Sequence, residues 1–557
     1  MNSSNSKKKC FFRGIALFSA AVLACAGLFG CAPAADGVPQ GGEGAESERS
    51  PKLSLSVRGA GSGTLDGAAE GAVNADESAV FDAETGERLA LSAAGEFSYF
   101  FIDGIRVTEK EVAFTVPERD VSVTAVFGKA DAEFDVYTPD VIVAEAEELG
   151  QSADRPFFPC VAQADDGTVV VVYYEADGHA LYNQSEGKLS GVLKITRSKN
   201  NAVSWSEPET LVDLRDEVRS AGDFNREPRD PNLQKLSDGT LLLTFPVRAP
   251  IGKAGYNGSN LNDYWSERSY YMTSRDGGET WSKMRVIECD SFSDEPFLYD
   301  DPTRTTGTWV KNGSVAELSN GELLIPLYGA PTCDTRADYT AVVVRARLTE
   351  EGTLSFYKDW AKDDDGNPTD ASRVSARGAG NELALTAKGD TVYALLRTAI
   401  PSRTAGGVVY RSADGGITWE EYALEPTANA CLNQPNFLSL GGDLVLVNYS
   451  VPLASVYDSP ARRTARPVYG KLFNVKTGEW SAYDAVTLYD TETATVADMA
   501  NPASVLLSDG RIFTVFYDTS APNDRAGFIG GRFTTLSDYL SETSPDLEET
   551  LDAYCAN

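Results

Sequence analysis

Histidine is almost missing from this chain: among 557 residues there is one, His179. No two cysteines stand at C-x-x-C spacing. The five beyond residue 31, Cys160, Cys289, Cys333, Cys431 and Cys555, are widely scattered. A zinc site draws on clustered Cys and His, so this composition argues against one, and neither a metal nor a cofactor is expected. The plain reading of the scattered thiols is buried small apolar residues, and their odd number leaves at least one outside any disulfide. Positive charge is also short. There are 49 Lys and Arg against 82 Asp and Glu, a formal charge of −33. Such a surface repels polyphosphate, so nucleic acid is not an expected partner. It repels an anionic sugar as well, so any site for an acidic ligand must carry its own arginines. After residue 30 no apolar run long enough to span a membrane returns.

The first residues read as an address. Lys7, Lys8, Lys9 and Arg13 precede a nearly continuous apolar stretch from Gly14 to Gly30, the pattern of a secretory signal. The stretch ends in Leu28-Phe29-Gly30-Cys31, which resembles a bacterial lipobox; Val22-Leu23-Ala24-Cys25 is a weaker rival. The resemblance implies a signal peptide over 1–30, a lipidated Cys31, and an extracytoplasmic protein on the bacterial cell surface that meets the membrane only through its lipid anchor. Residues 31–50, rich in Ala, Gly, Glu, Pro and Ser, lack the apolar surface to offset ordering and read as a flexible linker.

Residues 51–129 read as a small β-rich domain. Leu53 to Val57, Val112 to Val116 and Val121 to Phe127 alternate, and Asp103-Gly104 is a hairpin turn. Gly61-Ser62-Gly63-Thr64-Leu65, Ile102-Asp103-Gly104 and the closing Ser122 to Phe127 resemble a bacterial repeat of the internalin B kind, a spacer or adhesion unit.

One phrase, a polar glycine turn followed by an apolar run, recurs six times between 130 and 545: at Gly167, Gly239, Gly321, Gly389, Gly442 and Gly510. Runs such as Val169 to Tyr173 and Leu241 to Phe245 are continuous, as in strands buried on both faces. Six repeats of about four strands predict an all-β fold, a six-bladed β-propeller behind the small N-terminal domain, with 546–557 as a C-terminal tail. A second phrase, S-x-D-x-G-x-T-W, occurs at Ser274, Asp276, Gly278 and Trp281 and again at Ser412, Asp414, Gly416 and Trp419. Ser198 to Trp205 is a degraded copy and Asn474 to Trp480 a fainter one. These are local folding devices: Asp closes the turn, Gly takes positive φ and Trp packs on the hairpin. They resemble the Asp boxes, or BNR repeats, of the sialidase (neuraminidase) superfamily, over roughly 415 residues.

In that family three arginines hold the substrate carboxylate, a glutamate assists a nucleophilic tyrosine, and an aspartate is the acid/base. On the matching positions, Glu382 and Arg397 flank the fourth turn, and Arg466 stands where the third arginine belongs, with Arg462 and Arg463 as competitors. Two positions depart. The place of the first arginine holds Phe157, with Arg155 two residues away. The place of the tyrosine holds Asn501, with Tyr489 twelve residues off. A second group, Glu175, Asp177 and His179 after the first core strand and Arg229 and Asp230 ahead of the second, resembles phrases of the wider superfamily. The expectation is a glycoside hydrolase acting on the terminal sugar of a glycan. Glu382, Asp177 and Asp230 are its candidate catalytic carboxyls. Arg229, Arg397, Arg466, Glu175 and His179 are its substrate-binding groups, with the arginines suited to an acidic sugar. The alternatives are a non-catalytic glycan-binding lipoprotein on the same propeller and, more remotely, a polysaccharide lyase. An Arg229–Asp230 or Arg226–Glu227 salt bridge locking two blades is the structural reading of the second group.

Overall fold

A computed structural model describes most of residues 52–127. Further on it describes 136–147, 154–177, 191–216, 226–250, 264–289, 308–330 without 312, 340–375 without 364, 380–398, 407–424, 432–450, 466–480, 485–491, 499–519 and 526–539. The chain divides into two units, 1–49 and 50–557, and every described residue lies in the second. The expected signal peptide, Cys31, the linker, His179, Arg462, Arg463 and the tail lie outside the described residues, as do Cys333, Cys431 and Cys555.

Strands between Lys52 and Phe127 form two antiparallel-rich sheets of five and four strands. In the first, Leu53–Gly59 runs parallel to Val121–Phe127, so the start and the end of this region pair directly. The chain then builds six blades, each an antiparallel sheet of four main strands (blade 1, Arg155–Gln163, Val169–Ala176, Val192–Ser198 and Glu209–Val212). In blade 2 the innermost strand is split into Glu227–Pro228 and Asn232–Lys235, ahead of Leu241–Pro250, Tyr264–Ser274 and Arg285–Val286. Blade 3 centres on Glu322–Ala330 and Thr340–Leu348. Blade 4 runs Gly380–Lys388, Thr391–Thr398, Val408–Ser412 and Glu420–Leu424, and blade 5 begins with Asn433–Ser439, Leu444–Ser450 and Val468–Asn474.

Blade 6 takes its first three strands, Met499–Leu506, Ile512–Asp518 and Phe528–Thr534, from the end of the chain. Its fourth, Val141–Glu145, comes from before blade 1. This splice closes the ring. Buried Arg532 fastens it: Nη1 donates to Asp140 Oδ1 at 2.6 Å, Nη2 to the Thr138 carbonyl at 2.7 Å and Nε to the Leu488 carbonyl at 3.0 Å.

The apolar phrase that repeats six times is the second strand of each blade, not the one at the axis; the innermost strand precedes the glycine turn. The reason is packing. The second strand is covered on both faces by adjoining blades, and Val169, Val170, Val171 and Val172 are all fully buried. The innermost strand borders the axial channel and keeps polar positions there. The core is accordingly a series of seams: one apolar cluster joins blades 6, 1 and 2, and others join 2 with 3, 3 with 4, and 4 with 5. Cys160 and Cys289 are buried, as the composition suggested, and Cys160 Sγ donates to the Val172 carbonyl at 3.3 Å.

The Asp boxes fold as anticipated, in the hairpins between third and outer strands. Asp276 Oδ1 accepts from Thr280 N at 2.9 Å, Ser274 Oγ accepts from Gly278 N at 2.9 Å, and Trp281 Nε1 donates to the Gly278 carbonyl at 3.1 Å. Ser412, Asp414, Gly416 and Trp419 repeat these contacts within 0.1 Å. The degraded box keeps the two turn contacts, with Asn200 for the aspartate, and Ala202 takes φ 66° where the others have glycine, but Trp205 Nε1 lacks the bond its counterparts make. The Thr280 hydroxyl holds the Asp276 carboxyl below the usual range. For Asp414 burial pushes upward, but its bonds from Thr418, Ser412 and Ile417 together outweigh that and lower it too. A carboxyl with a depressed folded value stabilises the fold above its unfolded value of about 3.9 and loses that contribution as pH falls through the folded one. The double substitution Asp276→Asn, Asp414→Asn is therefore expected to lower the urea midpoint at pH 7. Its deficit should shrink as the pH drops below about 4. A pH-independent deficit in urea titrations would contradict this account.

Candidate functional site

Each innermost strand starts on one face of the propeller, the mouth, and runs toward the opposite face, where the glycine turns and Asp boxes lie. The strands do not enter straight. Phe158 (φ 50°), Asp230 (39°), Gln434 (50°) and Asn501 (49°) are left-handed, and Gly313 (83°) holds the same level in blade 3. The register slips at these points, between Phe157 and Cys160, between Asn433 and Asn436, and between Ala500 and Ala503. Prolines 159, 231, 435 and 502 follow, removing a ladder donor where the pairing is already broken. Left-handed non-glycine residues each cost on the order of 1 kcal/mol, and such strain collects where a side chain must be re-aimed. The result is a narrow neck with a cavity of about 20 Å³, lined by Asp230, Asn232, Gln434, Asn436, Asn501 and Cys160. Beyond it lies an axial channel of about 430 Å³, walled by all six innermost strands through residues such as Gln163, Gln234, Ser314, Thr386 and Ser504.

Around the neck the structure joins some of the anticipated residues and separates others. Arg397 Nη1 donates to Glu382 Oε1 at 2.8 Å, and the backbone N–H of Gln434 donates to Glu382 Oε2 at 3.2 Å. Glu382 is 11% and Arg397 21% exposed at the side chain, so the pair spans the seam between blades 4 and 5 and still reaches the mouth. Arg466, at the start of the third strand of blade 5, is partly buried. Arg229 is different. It is 2% exposed, its guanidinium lies 5.0 Å from the Tyr174 ring and 5.6 Å from the Phe158 ring, and its Nε stands 3.6 Å from Glu227 Oε1. The partner is thus Glu227 rather than Asp230, and Glu227 Oε2 also accepts from Gly191 N at 3.1 Å, tying blade 2 to blade 1. Arg226 pairs with the Tyr270 hydroxyl at 2.7 Å rather than with Glu227.

On blade 1 Arg155 Nη2 donates to the Asp177 backbone carbonyl at 3.1 Å. Burial pushes the Glu175 carboxyl up, against the pull of Lys194 at 3.4 Å. Desolvation and the neighbouring Asp177 raise Asp154. Asp154 was not legible as a site residue, because nothing in its local sequence marks it; only the fold sets it beside Asp177. The place of the first family arginine is filled by Phe157, fully buried against Tyr174 and Tyr517. Tyr489 is buried in the wall, donating to Asp518 Oδ2 at 2.8 Å and stacked on Phe516.

Six four-stranded blades, a spliced sixth blade and Asp boxes in the outer hairpins define the class: a β-propeller of the Asp-box type. Residues 194–449 match the BNR repeat-like domain. No curated protein matches the chain. Among solved structures it is similar to a protein of unknown function from Dyadobacter fermentans, with 19% identity, TM-score 0.49, and coverage of 71% of this chain and 98% of that one. It is also similar to the intramolecular trans-sialidase from Ruminococcus gnavus, with 15% identity, TM-score 0.43, and coverage of 70% and 96%. A third is the NanB sialidase from Streptococcus pneumoniae, with 12% identity, TM-score 0.45, and coverage of 84% and 87%.

Proposed function

We propose that this chain is a cell-surface glycoside hydrolase that takes the terminal residue of a glycan at the propeller mouth, tethered through Cys31. The observation that carries the reading is the Glu382–Arg397 pair, a carboxylate oriented from two sides at the rim of the neck. Across the mouth, Glu175 and Asp154 are carboxyls whose proton is held more tightly than usual. Carboxyls in unlike environments are what acid–base cleavage of a glycosidic bond needs: one group donates a proton to the leaving oxygen, and the other, ionised, supports the positive charge that develops at the anomeric carbon. Asp177, beside Asp154, and Asp230, at the neck, are further candidate carboxyls.

Aryl glycosides of neutral and acidic sugars provide the test. Glu382→Gln is expected to lower kcat/KM on the cleaved substrate by about 100-fold or more, and Glu175→Gln to move the alkaline limb of the pH profile. Arg397→Ala should lower kcat, because it frees Glu382 from its fixed orientation. Whole cells should cleave a substrate too large to cross the envelope. Wild-type rates in Glu382→Gln would sink the reading.

A second reading, glycan binding without cleavage, is favoured by Asn501 and Phe157, which occupy the places where the resemblance implies a nucleophilic tyrosine and the first arginine. Sugar binding with no turnover of any glycoside would select it.

A further inference from the structure

The neck joins three independent features. Its backbone is left-handed at Asp230, Gln434 and Asn501, on blades 2, 5 and 6, and all three residues line the same cavity. Among the described residues its lining contains one carboxyl and several carboxamides. Gln434 Oε1 is buried without a hydrogen-bond partner among the described residues. A buried acceptor left in this way calls for a donor from outside the chain.

We infer that Asp230, Gln434 and Asn501 form an axial subsite that reads a single hydroxyl or hydroxymethyl group of the terminal sugar. The inference rests on the glycan reading above and adds which part of the sugar enters the axis. The size of the cavity, about 20 Å³, admits a group the size of one water and no sugar ring. The chemistry of the lining selects what that group is. A hydroxyl donates to Gln434 Oε1 and accepts from a carboxamide N–H, whereas a sugar carboxylate can only accept and would leave that buried oxygen unanswered. Charged substituents are thereby directed outward, toward the arginines of the rim. Strain in three blades keeps the reading groups aimed at the axis.

The test compares methyl aldohexosides with their monodeoxy analogues, alongside a methyl glucuronide and a methyl sialoside, by titration calorimetry on the full chain. One deoxy position is expected to cost the wild type at least about tenfold in affinity, since a site built to bond a hydroxyl rejects the analogue that lacks it. Gln434→Gly and Asn501→Gly keep the left-handed backbone and remove the side chain, so they should fold and should lose that discrimination. Asp230→Asn should improve the relative affinity for the acidic sugars. An undiminished deoxy penalty in both glycine variants would overturn the subsite and leave the glycan reading standing. A wild-type chain that binds no sugar of the panel would sink the glycan reading, and this inference with it.

Discussion

Replacing Gly313 by alanine is expected to destabilise the protein by about 4 kcal/mol or more, enough to leave much of it unfolded at 37 °C. Two causes act together. Gly313 has φ 83°, and the new Cβ would stand far inside contact distance of the Leu383 carbonyl oxygen and 2.9 Å from Ala384 Cα. Both obstacles are backbone of the next blade, and they cannot swing aside as a flexible side chain would. They belong to the seam where Ser314 Oγ donates to the Leu385 carbonyl at 2.6 Å and Leu385 N to the Ser314 carbonyl at 3.1 Å. Gly321 is the control. Its φ is 77°, nearly the same, and nothing lies within 4 Å of its Cβ position. Gly321→Ala should therefore cost only the backbone strain, about 1–2 kcal/mol. Urea titrations of the two variants separate crowding from strain. Equal midpoints would mean that the seam between blades 3 and 4 yields easily.

Arg532→Met is expected to lower stability by about 3 kcal/mol. The arginine is 1% exposed and answers three acceptors on three segments: Asp140, Thr138 and Leu488. Methionine keeps much of the volume and leaves those acceptors without their donor. The loss falls on the splice of the ring, since Asp140 directly precedes the closing strand and its Oδ2 also accepts from Phe533 N at 2.8 Å. Limited proteolysis should then cut near residue 140 before it cuts the blades. Asp140→Asn with Arg532→Met should cost less than the two substitutions summed, because the pair is removed together. Additive losses with no change in the cleavage site would show that this contact does not govern closure.

The repeat was legible because its parts are local. A glycine turn, an apolar run and S-x-D-x-G-x-T-W each describe contacts within a few residues, so six copies and two good boxes could be read along the chain. The neck was half visible. A proline stands eight residues before the turn glycine at Pro159, Pro231 and Pro502, a regularity that marks where the inner strands break. Its meaning was hidden, since a left-handed residue ahead of proline has no side-chain signature: Phe158, Asp230, Gln434 and Asn501 share only a backbone angle. Glu382 and Arg397 stood out by their distance from one turn, which two adjacent antiparallel strands convert into contact. Arg229 also stood out, yet whether such a guanidinium faces solvent or lies under two aromatic rings depends on Phe158 and Tyr174 in another blade.

By itself the sequence determined the all-β class, the number of blades and the turn chemistry, because hydrophobic runs and side-chain-closed turns are set by neighbours along the chain. Only the tertiary structure decided which strand lines the axis, which arginines are answered by glutamates, and that three polar residues from blades 2, 5 and 6 meet in one small cavity. Those facts depend on distances between segments far apart in sequence, and ring closure alone brings such segments within hydrogen-bonding reach.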